Sequence, residues 1–184
     1  MKVKRESKEV LYSKEKNLTL GKDFINYLVK ESKKSPKKII RLCTHKSKKS
    51  KVHEMFILQP KTYFCKPHKH VGEESMSVIK GKGDIILFNN KGTIKKIIEM
   101  GDIMSNKTYY YKLERNIFHI LLIRSKYIFF HEVTKGPFKK SNMISPKWSP
   151  GEDKKKIKFF LKKLEKKMQI FKNKNKQNKN KYIN

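Results

Sequence analysis

Pro67-His68-Lys69-His70-Val71-Gly72-Glu73-Glu74, with Gly81 just ahead of the run Asp84-Ile85-Ile86-Leu87-Phe88, is where the chain can be read most sharply. Alternate residues of a strand point the same way, so His68 and His70 share one face. Glu74 follows after three intervening residues and Gly81 after six more. Two imidazoles and a carboxylate converging from adjacent strands make a chelate for a divalent transition metal. Two of the chain's 6 histidines fall inside this H-x-H-x3-E-x6-G spacing. Glu73 offers a second carboxylate one residue away. Cys65 would extend the set to Cys-x2-His-x-His, although Pro67 breaks the strand between them.

Outward from this stretch, residues 38–133 alternate short runs rich in Ile, Val, Phe and Tyr with turn signals such as Gly81-Lys82-Gly83, Asn89-Asn90-Lys91-Gly92 and Gly101-Asp102. Many short strands at regular spacing predict an all-β sandwich or barrel. Phe24, Tyr27 and Leu28 fall at helical spacing within 21–34. Ile157, Phe160, Leu161, Leu164, Met168 and Phe171 do so within 151–171 and predict an amphipathic helix docked on its own domain. Residues 1–20 are polar and expected to be loosely ordered. Residues 172–184, rich in Lys and Asn, are expected to be a disordered tail. The barrel domain with its N-terminal helix is thus expected over 21–150.

The 184 residues hold no alanine, and apolar content is 36%. Large residues (Ile, Leu, Phe, Tyr, Met) carry the core instead, which excludes a wholly disordered chain. Lys+Arg is 47 against 16 for Asp+Glu, a formal charge of +31. Only Arg5, Arg41, Arg115 and Arg124 are arginine. Sequence-specific nucleic-acid binding usually concentrates charge on one face and uses arginine forks. The charge here is spread along the chain, which predicts weak, salt-sensitive polyanion binding and no specific nucleic-acid partner. No run reaches the length of a membrane span, and the first twenty residues lack the apolar core of a signal peptide. With two cysteines and no disulfide framework, a cytoplasmic protein with reduced thiols is expected.

The H-x-H-x3-E-x6-G spacing resembles the first signature of the cupins, whose third histidine follows a P-x-G-x2-H turn. Glu114-Arg115-Asn116-Ile117-Phe118-His119 supplies that histidine, with Glu114 for the proline and Asn116 for the glycine. Asn tolerates left-handed backbone angles, so the turn survives. Within the cupins the chain resembles the WbuC-type metalloproteins, a bacterial group associated with surface-polysaccharide (O-antigen) gene clusters. Ser35-Pro36-Lys37 with His45, Gln59-Pro60-Lys61-Thr62-Tyr63, Phe130-His131-Glu132-Val133 with Gly136-Pro137-Phe138, and Trp148-Ser149-Pro150-Gly151-Glu152 carry that resemblance in order along residues 35–152.

The resemblance implies a cupin-type double-stranded β-helix, a jelly-roll barrel flanked by one helix before it and one after. It also implies one divalent metal (Zn, Mn, Fe or Ni) held by His68, His70, Glu74 and His119. Three imidazoles and a carboxylate leave two open positions on a six-coordinate ion, where a carbonyl or vicinal diol could be polarised. Glu132 and His45 are the candidates for acid/base work, His45 from its place in the family pattern. A carbohydrate ligand follows, either as substrate of an isomerase or epimerase or as ligand of a non-catalytic binding or regulatory module. Tyr109-Tyr110-Tyr111 reads as strand packing. By analogy with cupins a homodimer is also expected.

Overall fold

The computed structural model describes residues 1–137 and 139–180. In chain order it contains β1 (Val3–Arg5), β2 (Val10–Ser13), α1 (Asp23–Ser32), β3 (Ile40–Cys43), β4 (Val52–Pro60), β5 (Lys69–His70), β6 (Glu74–Lys80), β7 (Lys82–Phe88), β8 (Ile94–Gly101), β9 (Tyr110–Leu113), β10 (Phe118–Ile123), β11 (Tyr127–Lys135), β12 (Met143–Ile144) and α2 (Lys154–Asn180). Seven strands form one sheet in the order β1-β2-β3-β4-β11-β6-β9. Three form a second, β10-β7-β8, and β12-β5 is a two-stranded ribbon. All pairings are antiparallel except β2 with β3. An isolated bridge between His68 and His119 ties the ribbon to the edge of the second sheet.

Strand alternation sorts the apolar residues into three layers. Inward-facing Met55 and Ile57 of β4, Met76 and Val78 of β6, Ile85 of β7 and Ile128 and Phe130 of β11 fill the space between the two sheets. The opposite face of the seven-stranded sheet, with Leu42, Leu58 and Phe129, is covered by Phe24 and Leu28 of α1. The outer face of the small sheet, with Ile86, Phe88, Phe118, Ile120 and Leu122, is covered by Leu164 and Met168 of α2. Each sheet therefore buries both faces, one against its partner sheet and one against a helix. The expected mainly β fold with two flanking helices is what the chain adopts.

The motif glycine has a specific job. Gly81 turns the chain from β6 into β7 at φ +99°, and a Cβ there would sit 2.4 Å from the carbonyl oxygen of Tyr127. Asn116 takes the left-handed conformation, φ +66°, just before β10. The turn expected from the sequence is therefore formed without its proline and glycine.

Both ends of the chain are more ordered than their composition predicts. Residues 1–20 contain the β1–β2 hairpin, which extends the large sheet through parallel pairing of β2 with β3, and Leu11 is fully buried. Arg5 and Ser13 share the face of Val3 and Leu11, so no apolar-polar alternation marks these strands of three and four residues. At the other end α2 does not stop at residue 171 but runs to Asn180. No glycine or proline interrupts it, and Lys172 forms an ion pair with Glu99 of β8. Residues 181–184 of the expected tail lie outside the described residues. Arg124 bonds Asp84 through Nε (2.6 Å) and Glu165 of α2 through Nη1 (2.5 Å), pinning the helix to the small sheet. Among the described residues no helix is long and apolar enough to cross a membrane.

Candidate metal centre

Backbone pairing brings the histidines together before any ligand does. The N–H of His68 donates to the carbonyl of His119 (3.1 Å), and the N–H of His119 returns the bond to His68 (2.8 Å). Two residues on, Asn116 donates its N–H to the carbonyl of His70 (2.8 Å). Glu74 opens β6 on the same inward parity as Met76 and Val78. His68, His70 and His119 thus present ring nitrogens that all lie within 4.8 Å of one another. The Glu74 carboxylate closes the set, with Oε2 3.0 Å from His70 Nε2 and Oε1 3.1 Å from His119 Nε2.

The outer edges of two rings are fixed. His68 Nδ1 donates to the carbonyl of Lys66 (2.7 Å) and His119 Nδ1 to that of Ile117 (3.0 Å). With those protons committed, Nε2 is the atom each ring turns to the centre, where its lone pair serves an ion once any proton on it has left. His68 Nε2 and His70 Nε2 lie 3.1 Å apart, at hydrogen-bond distance and close enough for one cation to take both. Burial, helped by the charge of His119, pulls His68 down to about 4, so it is neutral at physiological pH. Burial pushes the Glu74 carboxyl upward, but hydrogen bonds from His119 and His70 outweigh it and hold the group well below its ordinary value. His119 loses to burial and gains more from Glu74, ending above its ordinary value. Without a metal, a proton on the imidazoles balances the carboxylate. Three imidazoles and one ionised carboxylate, oriented by backbone carbonyls, are a donor set that fits a divalent transition ion.

The expected ligands His68, His70, Glu74 and His119 are therefore brought together. The neighbouring carboxylate is not: Glu73 points to solvent and pairs with Lys112 at 3.0 Å. Cys65 lies behind the centre, its Sγ 3.8 Å from Nδ1 of His68, the nitrogen turned away from the cluster. Burial pushes its thiol to about 12, so it is neutral, and it is not among the groups whose ligand atoms converge on the centre.

Glu132 lies in register with Met76 of β6, on the inner face beside the centre. Burial and then the charge of Glu74 push its carboxyl up to about 7, partly offset by Arg41, His70 and His119. Such a carboxyl can hold or release a proton at neutral pH. His45 is the correction. It stacks on His53 (ring centroids 4.0 Å) and meets Tyr12 edge-on at 5.5 Å, while its Nδ1 bonds the backbone of Glu54 at 3.1 Å. It follows β3, which is separated from β6 by β4 and β11, so the sheet order keeps it out of the cluster.

One residue of the site reads differently in three dimensions. Tyr111, taken from sequence as strand packing, donates its hydroxyl to Glu74 Oε1 at 2.8 Å and is buried. Its place directly across from Met76 on β9 gave no local signal of this. A cavity of about 430 Å³ adjoins His68 and Cys65 and is bordered by Lys37, Tyr63 and Glu152. A wider cleft of about 820 Å³ includes Glu74 in its lining and is bordered by Arg115, Thr134 and Lys135.

Comparison with known proteins gives matches to a family model and to solved structures. Residues 20–100, just under half the chain, match a family described as a domain of unknown function, DUF6016. The matched span includes His68, His70 and Glu74 and ends before His119. No curated protein matches. Among solved structures, protein SO0799 from Shewanella oneidensis is 9% identical, with 70% of this chain and 85% of that one aligned at a TM-score of 0.52. Oxalate decarboxylase from Bacillus subtilis, in its structure at pH 4.6, is 14% identical over 52% of this chain, with a TM-score of 0.43. The chain spans about a quarter, 24%, of that enzyme's length. The fold is the cupin-type double-stranded β-helix, as the H-x-H-x3-E-x6-G spacing led us to expect.

Proposed function

We propose that the chain is a metal-dependent cupin in which His68, His70, Glu74 and His119 hold one divalent ion and a sugar or sugar nucleotide is the substrate. The convergence of these four groups beside a cavity is the observation that carries the metal reading. The sugar assignment, in surface-polysaccharide (O-antigen) synthesis, rests on the resemblance of residues 35–152 to the WbuC-type proteins. Three of the segments behind that resemblance, at Pro36-Lys37, Thr62-Tyr63 and Gly151-Glu152, line the cavity next to His68.

When bound, the ion supplies Lewis-acid polarisation of a carbonyl or vicinal diol. The chain's own residues do the remainder. Glu74 and the three imidazoles fix the position of the centre, and Tyr111 orients the carboxylate through its hydroxyl. Glu132, poised near neutrality, is the group able to take a proton from a carbon next to a polarised carbonyl and return it, as isomerisation or epimerisation needs.

Incubation of metal-loaded protein with sugar nucleotides in D2O, followed by NMR, tests this reading. Metal-dependent deuterium incorporation at a ring carbon, lost in Glu132→Gln at unchanged metal content, is expected. Saturable binding with no incorporation would instead identify a non-catalytic carbohydrate-binding module. Absence of both would refute the sugar assignment.

A further inference from the structure

α2 forms the outer layer over the small sheet. Phe160, Leu161, Leu164, Met168 and Phe171 pack inward, so the opposite side of the helix is the outside of the molecule. Polar residues belong there, yet Phe159 is 69% and Ile170 57% exposed. Eleven positions make about three turns, so the two side chains stand on one line along the helix, about 16 Å apart.

The residues three and four places away on either side are a side chain's neighbours on a helix. For Phe159 all four are lysine: Lys155, Lys156, Lys162 and Lys163. For Ile170 they are Lys166, Lys167, Asn173 and Lys174. All seven lysines are exposed, and among the described residues none of them pairs with a carboxylate. The ion pairs of α2 tie it to the body instead, Glu165 to Arg124 and Lys172 to Glu99. Glu165 is the only carboxylate in the helix, against twelve lysines. Its outer face is thus two large apolar groups set among lysines, with no acidic group between them.

This combination selects its occupant. A second copy of the chain would bring lysines against lysines. A nucleic acid would satisfy the lysines through its phosphates but leave Ile170, which has no ring to stack on a base, in water. An anionic bilayer surface takes both sets of groups. Lysine stems run along the interface and place their ammonium groups among the headgroups, while the apolar side chains enter the acyl boundary.

We infer that the outer face of α2 docks the chain on an anionic phospholipid bilayer, with the helix lying in the interface plane and Phe159 and Ile170 inserted. The inner stripe stays packed on the small sheet, so docking requires no unfolding. The surface lies apart from the metal centre and stands independently of the sugar reading.

Cosedimentation of the full chain with vesicles at moderate salt tests the inference. Binding is expected to vesicles of mixed phosphatidylcholine and phosphatidylserine, and not to phosphatidylcholine alone. Phe159→Ser/Ile170→Ser, which keeps every charge, should weaken that binding about tenfold or more. Removing Lys155, Lys162, Lys163 and Lys166 as glutamines should weaken it further than removing the exposed Lys46, Lys48, Lys49 and Lys51 between β3 and β4. Phe159→Trp gives a readout that needs no loss of binding. Against wild type, whose Trp148 stacks on Phe160, its emission should shift to the blue when mixed vesicles are added. Unchanged binding by the serine variant, or equal losses from the two sets of lysines, would mean adsorption by net charge alone and overturn the inference. An unshifted Phe159→Trp emission on bound protein would do the same. So would binding of single-stranded RNA, indifferent to Phe159 and Ile170, by a protein that ignores the vesicles.

Discussion

Replacing Tyr111 by phenylalanine removes one oxygen from a buried corner of the metal centre. That hydroxyl donates to Glu74 Oε1 at 2.8 Å, and Glu74 is only 5% exposed. In the metal-free protein the carboxylate has three donors: Tyr111, His119 and His70. Once the imidazole nitrogens turn to an ion, Tyr111 is the donor that remains to orient it. A hydrogen bond to a buried charged group is worth about 1.5–3 kcal/mol. Taking about 2 kcal/mol, metal affinity should fall about 30-fold, within the range expected when an outer partner of a metal ligand is removed. The melting temperature of the metal-free protein should fall by about 4–8 °C. Competition against a chromophoric chelator reads the first quantity and differential scanning calorimetry the second. Wild-type affinity together with an unchanged melting temperature would show that the hydroxyl does not support Glu74, and the reasoning would fail.

Other substitutions test separate parts of the account. Glu74→Gln should lower metal affinity by more than tenfold, whereas Glu73→Gln, whose native partner is the exposed Lys112, should change it by less than about twofold, both read by chelator competition. Glu132 binds its proton more tightly folded than unfolded, so its contribution to stability is full at low pH and is lost as pH rises through about 7. The unfolding free energy of metal-free wild type minus that of Glu132→Gln should therefore fall between pH 4.5 and 7, by at most about 3 kcal/mol, in urea titrations at stepped pH. His68 runs the other way: pulled down to about 4, it contributes stability that is lost as pH falls from about 6.5 towards 4, and His68→Gln should flatten that limb. Leu164→Ala, at a position 3% exposed under the small sheet, should cost about 3 kcal/mol in urea unfolding while leaving metal content unchanged.

Much of the site was legible because strand parity is strict. His68 and His70 two apart, and Glu74 in step with the apolar Met76 and Val78, already place three donors on one face. The same parity sets Glu73 with Ser75 and Ser77 on the solvent face, a signal that separates the two carboxylates without a structure. Asn116 in a left-handed turn was likewise readable from its tolerance of positive φ. What stayed hidden depends on contacts between distant strands. Nothing local marks Tyr111 as a partner of Glu74, since the two are 37 residues apart and meet only when β6 pairs with β9. The N-terminal hairpin is ordered by parallel pairing with β3, which no window of three or four residues reveals. His45 was placed by its position in a family pattern, and the order of strands in the sheet moved it elsewhere.

Metal stoichiometry tests the central claim most directly. Elemental analysis of untagged protein, after loading with a divalent transition ion and exhaustive dialysis, should give about one ion per chain for wild type and close to none for the His68→Ala/His70→Ala double variant with its fold intact by circular dichroism. One ion per chain retained by the double variant, or none in wild type, would contradict the assignment of His68, His70, Glu74 and His119 as a metal centre.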